Sequence, residues 1–240
     1  MIVKNKLLNY SNKFIYQDDN SFLFSLDSLL LAYFVSIKLR DKIILDMCTG
    51  NAPIPMFLTF RTDCHIYGIE IQEKIFNLGI MSIKENNMNN QITLINDNIK
   101  NVSNYFSGDT VDIVVCNPPY FKYSEKSYVN NNKSKMIARH EFLVTLDDIL
   151  KQSSYVLKNG GTFAMVHRPE RFIEIITNMR KNNIEPKKIR FVHSKMNTEA
   201  ILLLIEGMKG GKPGMKILSP LIIYDFDGEY SKEIKEMFGE

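Results

Sequence analysis

The chain has 240 residues, 45% hydrophobic and 24% charged, so it is globular in composition and long enough to bury a sizeable core. Its net charge of +3 neither demands nor excludes a nucleic-acid partner, and three scattered cysteines (Cys48, Cys64, Cys116) argue against a disulfide framework. No apolar run approaches the roughly 20 residues that cross a bilayer, and Met1 to Tyr16 lacks a signal-peptide core. A cytoplasmic location with reduced thiols and no membrane partner is expected.

Strand and helix patterns then alternate along the chain. Ser25 is placed to cap a helix running through Leu29, Leu30, Phe34 and Ile37, with Asp27 in its favourable first turn. Residues 16–24 would then lie across the open edge of the domain. Lys42 to Met47 reads as a buried strand, followed by a turn at Cys48 to Asn51 and a helix whose first turn tolerates Pro53. His65 to Glu70 is a second strand, with a helix from Gln72 to Asn86. Gln91 to Asn96 and Val111 to Cys116 are the third and fourth strands, the latter apolar enough to be covered on both faces. Leu146 to Leu157 is helical, with a stop at Asn159-Gly160-Gly161. Thr162 to His167 is a strand and Pro169 to Lys181 a helix. Lys188 to His193, Glu199 to Glu206 and Lys216 to Tyr224 follow as strands without helices between them. This order predicts a doubly wound, mostly parallel α/β sheet with an antiparallel edge strand. With no repeat and no low-complexity linker, a single domain is expected.

Ligands of open α/β sheets bind at the carboxyl ends of the strands. Four polar clusters fall at four consecutive strand ends. After the first strand, Asp46-Met47-Cys48-Thr49-Gly50-Asn51 offers a glycine for close backbone approach and helix amides behind it. Glu70, about twenty residues after Gly50, is placed to accept ribose hydroxyls, with Ile71 beside it. Asp97 could accept from an adenine amine, with Asn98 next to it; Asn96-Asp97-Asn98 could equally be a turn and helix cap. Each cluster alone could be an ordinary turn; together they describe a nucleoside-containing cofactor.

The fourth cluster is Asn117-Pro118-Pro119-Tyr120. Two prolines hold the backbone extended and remove its donors, so the segment presents acceptors only. The Asn117 side-chain oxygen and the Pro118 carbonyl can both accept from one exocyclic amine and aim its lone pair at a methyl donor. Tyr120 and Phe121 offer flat faces on which an extruded base can stack. The alternative is a rigid polyproline turn with an aromatic anchor.

These residues, with 24–32 (FSLDSLLLA), Leu45 to Asn51, 138–141 (ARHE) and His167-Arg168-Pro169-Glu170-Arg171, resemble the bacterial tRNA1(Val) adenine-N6 methyltransferase family, within the class I methyltransferases that use S-adenosylmethionine (SAM). The resemblance runs from about Tyr16 to Phe238. It implies one methyltransferase domain over residues 1–240, with a lid segment at 1–40 and a substrate loop at 117–145. It implies SAM held by Asp46, Cys48, Thr49, Gly50, Asn51, Glu70, Ile71, Asp97, Asn98 and Asn117. Catalysis falls to Asn117, Pro118, Pro119 and Tyr120. The implied product is N6-methylated adenine in tRNA, next to the anticodon. One departure stands out: where the family has a further glycine after Asn51, this chain has Ala52-Pro53, which predicts weakened cofactor affinity.

Charge adds modest support for RNA. Lys122, Lys126, Lys133, Lys135 and Arg139 face a single acid, Glu125, in the stretch between Lys122 and His140. Phe121, Lys122, Lys133, Lys135, Arg139, His140 and Lys212 are therefore the candidate substrate contacts, although such runs are often only solvated surface. The His and Cys spacing fits no zinc site, no metal is expected, and no GxSxG elbow is present. His140 and His167 read as loop or edge residues. A monomer is expected. Guanine-N2 methylation of rRNA, glutamine-N5 methylation of protein, and a non-catalytic RNA-binding module remain open alternatives.

Overall fold

A computed structural model describes residues 1–8, 10, 12–18, 26–118, 120 and 144–240. The first strands, β1 (Ile2–Lys6) and β2 (Phe14–Asp18), form an antiparallel hairpin separate from the main sheet. Mixed Lys and Asn content obscures this hairpin in the sequence. Helix α1 (Leu26–Phe34) follows, with Leu29, Leu30 and Leu31 fully buried. Each such side chain stabilises the fold by about 2 kcal/mol. The Ser25 cap and most of the expected edge segment lie outside the described residues.

The main sheet then alternates with helices: β3 (Ile43–Met47), α2 (Pro53–Leu58), β4 (His65–Glu70), α3 (Glu73–Glu85), β5 (Ile92–Asn96) and β6 (Val111–Cys116). From residue 144 onward come α4 (Leu146–Val156), β7 (Leu157–His167), α5 (Phe172–Lys181), β8 (Ile184–His193), β9 (Ala200–Lys209), β10 (Lys216–Ile217), β11 (Leu221–Ile222) and α6 (Lys232–Met237). The strand order is β10-β8-β9-β7-β6-β3-β4-β5, with β11 also on β8. Every pairing in the sheet is parallel except those of β9 with β7 and β8. The expected antiparallel strand is therefore present, two places inside the edge, where β9 returns between β7 and β8.

Alternate residues of the strands feed two cores. Ile44, Ile66, Ile113, Val115 and Ala164 pack with α1, α2 and α6; Leu45, Met47, Val114, Cys116 and Phe163 pack with α4 and α5. This period of two is what a sheet covered on both faces requires. The chain turns back between β3 and β6, so their carboxyl ends border the crevice where such folds bind ligands.

Two local expectations change. The Asn159-Gly160-Gly161 stop is not a helix cap, because α4 passes directly into β7 at Leu157. Gly160, with φ of +77°, sits where the β6–β7 register slips between Val111–Leu157 and Ile113–Thr162. The glycine serves a bulge there, a backbone turn that a side chain would resist. Lys216 to Tyr224 forms two short strands rather than one, both parallel to β8.

The hairpin docks on α3 through side chains that imitate a neighbouring strand. Asn86 accepts from the Phe14 N–H (3.0 Å) and donates to its carbonyl (2.7 Å), while Ser82 Oγ accepts from the Tyr16 N–H (2.9 Å). Asp18 is paired with Lys74.

Candidate active site

Asp46, Thr49 and Gly50 sit at the carboxyl end of β3. Asp46 and Thr49 are buried, and among the described residues neither Asp46 oxygen nor Thr49 Oγ1 has a hydrogen-bond partner. Unpaired buried oxygens are expensive to keep, which is the mark of a site built for a ligand. Burial pushes the Asp46 carboxyl up to about 8; the nearby Thr49 hydroxyl opposes this and the Glu70 charge adds to it. Cys48, Gly50 and Ala52 all have φ near +60° to +70°. A Cβ placed on Gly50 would meet nothing within 4 Å, so backbone is presented to open space. Ala52 adopts the left-handed conformation at the position where the resemblance leads one to expect glycine.

Glu70 closes the neighbouring strand. Its Oε2 accepts from the Gly50 N–H (3.0 Å) and its Oε1 from the Gln72 N–H (2.8 Å), tying the β3 loop to the β4 loop; the Ile71 amide lies close beside it. Burial raises the Glu70 carboxyl and these amides oppose the rise.

Asp97 and Asn98 support the cap alternative as a local arrangement. Asp97 Oδ1 accepts from the Asn98 N–H (2.6 Å) and Asn101 (2.8 Å), and Oδ2 accepts from the Tyr105 hydroxyl (2.8 Å). These bonds hold its carboxyl below the usual range. Asn98 accepts from the Lys100 N–H at the start of a 3-10 turn over residues 99–104. Asn51 has a role beyond the one expected of it: its Nδ2 donates to the Tyr16 carbonyl (2.8 Å), pinning the hairpin to the β3 loop. Gln17, next along β2, buries an amide nitrogen that also has no partner among the described residues.

A nucleoside cofactor fits this donor and acceptor set. Asp46, Thr49, the Gly50 backbone and Glu70 would hold it, with Asp97 at the far strand end; it would supply an activated methyl group.

Asn117 leaves β6 directly beside this loop, since Cys116 pairs with Met47 across the strands. Cys48 and Cys116 come together here, and burial followed by the neighbouring Cys48 thiol raises the Cys116 thiol. Asn117 Nδ2 lies 3.4 Å from Ser28 Oγ, and its Oδ1 lies 2.8 Å from the Tyr120 hydroxyl, which also donates to Asp27 Oδ2 (2.6 Å). Tyr120 packs at 5.3 Å, tilted, on the fully buried His167 ring, with the Arg168 guanidinium 5.8 Å from its centroid. Burial, then the Arg171 charge, lowers the His167 imidazole to about 3. Neutral at physiological pH, it serves as a packing surface. Burial and the Asp27 charge raise the Tyr120 phenol, so it remains a donor.

Asp27, Ser28, His167 and Arg168 thus join the acceptor end of the site, although sequence reasoning gives Asp27 only a helix-turn role and reads His167 as an edge residue. The segments that contain them, 24–32 and His167 to Arg171, carry the family resemblance, and that is the signal in the sequence that marks them. Pro118, next to Asn117, is buried. Pro119, Phe121, Lys122, Lys133, Lys135, Arg139 and His140 lie outside the described residues.

Lys212 is not brought to this site. It follows β9, which runs opposite to its neighbours, so the chain emerges at the amino ends of β7 and β8; the Lys212 carbonyl accepts from Lys187 there (2.9 Å). The reversal of one strand carries it to the opposite end of the sheet from Asn117.

The sheet order, the glycine loop after β3, the acid closing β4 and the Asn-Pro after β6 define a class I SAM-dependent methyltransferase fold. The solved structures that resemble it agree. A predicted O-methyltransferase from Agrobacterium tumefaciens superposes with a TM-score of 0.72 at 17% identity, over 89% of this chain and 95% of its own. TYW2 from Pyrococcus horikoshii, in complex with MeSAdo, gives 0.59 at 10% identity, over 88% and 72%. The model of the N-6 DNA methylase family matches residues 30–193, more than half the chain, and the chain belongs to that family. Similar relatives include the tRNA1(Val) (adenine(37)-N6)-methyltransferases of Haemophilus influenzae (25% identical, 91% of this chain and 90% of the relative) and Cytophaga hutchinsonii (23%, 82% and 86%). No helix among the described residues is long and apolar enough to cross a membrane.

Proposed function

We propose that this enzyme transfers a methyl group from SAM to the N6 amine of an adenine in tRNA, with the adenine next to the anticodon of tRNA1(Val) as the substrate its named relatives point to. The observation that carries the reading is the placement of Asn117 beside the cofactor loop, one strand from Asp46. An adenine amine is nearly non-basic, so rate comes from orientation rather than from a strong base. Asn117 Oδ1 and the Pro118 carbonyl accept the two amine hydrogens and direct the nitrogen lone pair toward the methyl group. Asp46 and Thr49 take the polar end of the cofactor and Glu70 its ribose, while Cys48, Asn51, Ile71, Asp97 and Asn98 complete that wall.

In this reading residues 1–40 form a lid segment and residues 117–145 the substrate loop, within one methyltransferase unit. Phe121 stacks on the base, and Lys122, Lys133, Lys135, Arg139 and His140 meet phosphates. Lys212 stands at the opposite end of the sheet from Asn117. The protein works in the cytoplasm, as a monomer, where tRNA is modified.

The test is incubation of unmodified tRNA with protein and labelled SAM, followed by mass spectrometry of the nucleosides. N6-methyladenosine is expected. Label in guanosine, in protein or nowhere overturns the reading.

A further inference from the structure

Tyr120 carries one phenolic hydrogen and lies within hydrogen-bond distance of two acceptors, Asp27 Oδ2 at 2.6 Å and Asn117 Oδ1 at 2.8 Å. These acceptors come from parts of the chain about ninety residues apart, so the contact is made by the fold. Asn117 Oδ1 is the atom that must take an amine hydrogen from the substrate. While the phenol donates to it, the phenol competes with that amine. A carboxylate is a stronger acceptor than a neutral amide oxygen, and its charge-assisted bond is roughly twice as strong. Asp27 lies on the first turn of α1, and its neighbour Ser28, which is buried, places Oγ 3.4 Å from Asn117 Nδ2. Ser28 thereby favours the amide orientation that turns Oδ1 toward the phenol.

We propose that Asp27 is a positioning residue for methyl transfer: by holding the Tyr120 hydrogen it frees Asn117 Oδ1 for the substrate amine. The inference rests on the role assigned to Asn117 above. No covalent step is added, and the role assigned to Asp27 runs through Tyr120 rather than through the reacting atoms. The His167 ring, 5.3 Å away, and the Arg168 guanidinium, 5.8 Å away, pack against the Tyr120 ring and restrain it, so the direction of its hydrogen decides the competition. Without a carboxylate at position 27, that hydrogen turns to Asn117, and the amine loses one of its two acceptors.

The experiment is a double-mutant cycle on the full chain with unmodified tRNA. Asp27→Asn should lower kcat roughly 10- to 100-fold, the scale for losing one oriented hydrogen bond at a reacting group, while the Kd for SAM stays within about twofold. Tyr120→Phe should lose much less. The double variant should recover from the Asp27→Asn level to that of Tyr120→Phe, since no phenolic hydrogen is left to compete. A double variant as slow as Asp27→Asn, or slower, overturns the proposal and makes Asp27 a structural residue. Wild-type kcat in Asp27→Asn, or a large loss of SAM affinity, overturns it as well. Should Asp27→Asn fold poorly, Asp27→Ala in the same cycle gives the same expectation, because alanine also lacks a charged acceptor. Asn117→Ala serves as the separate control: full activity there would remove the underlying reading of the site, whereas an inactive Asn117→Ala with an additive cycle removes only the role of Asp27.

Discussion

The two halves of the site are built in opposite ways. On the β3–β4 side, Asp46 and Thr49 keep buried oxygens that have no partner among the described residues, and the loops are joined by backbone amides on Glu70. On the β6–β7 side, Asn117, Tyr120, Asp27 and Ser28 already satisfy one another through side chains from distant segments. In the reading proposed above, the first half stands ready for the cofactor and bears the desolvation of that readiness. In the acceptor half the substrate amine meets an Asn117 oxygen that the Tyr120 phenol can also reach. A preorganised pocket suits a cofactor common to many reactions, and an exchanging one suits discrimination among acceptors.

The largest expected effect separates the halves directly. Asn117→Ala should lower kcat by about 10³ or more, with SAM affinity within a few-fold of wild type, measured by label transfer and by calorimetry. Loss of SAM binding instead would place Asn117 in the cofactor half.

Asp46→Asn should do the reverse, weakening SAM by roughly 10- to 100-fold. The Asp46 pKa in the folded protein lies above its unfolded value, so its contribution to stability is full at low pH and is lost as pH rises toward 8. In the cofactor-free protein at pH 9, Asp46→Asn should therefore raise Tm, by about 2–4 °C for each kcal/mol relieved in a chain of this size. An ammonium group held against Asp46, as the proposed cofactor site requires, would favour its ionised form, so wild-type affinity should fall as pH drops below about 8, by up to about tenfold per unit. Calorimetry in buffers of different ionisation enthalpy should detect the released proton. A flat pH profile for affinity would show that Asp46 does not face the ammonium.

A smaller effect concerns RNA. Lys133→Ala with Lys135→Ala should raise the tRNA KM several-fold and flatten the log–log salt slope by about 1.5. Lys212→Ala, at the far end of the sheet, should leave both unchanged. The smallest effect is at the loop itself. Ala52→Gly removes a left-handed alanine (φ 70°) and should stabilise the fold by about 1 kcal/mol, read from denaturant unfolding. A destabilised variant would mean that the buried Ala52 methyl contributes more than the backbone relief.

Period-two apolar strands, the glycine loop after Asp46 and the paired prolines after Asn117 are local patterns, and the sequence by itself determined them. From them follow the parallel sheet, the strand ends that bear the site and the class of reaction. Contacts between remote segments were decided only by the tertiary structure, because no local pattern encodes them. Asn51 and Asn86 hold a hairpin whose strands show little apolar alternation; Asp27 meets Tyr120 only because α1 packs across β7 and β9 beside the end of β6; and Lys212 is carried away from the site because one strand reverses. Backbone periodicity is written residue by residue, whereas side-chain partnership depends on which elements the sheet order brings side by side.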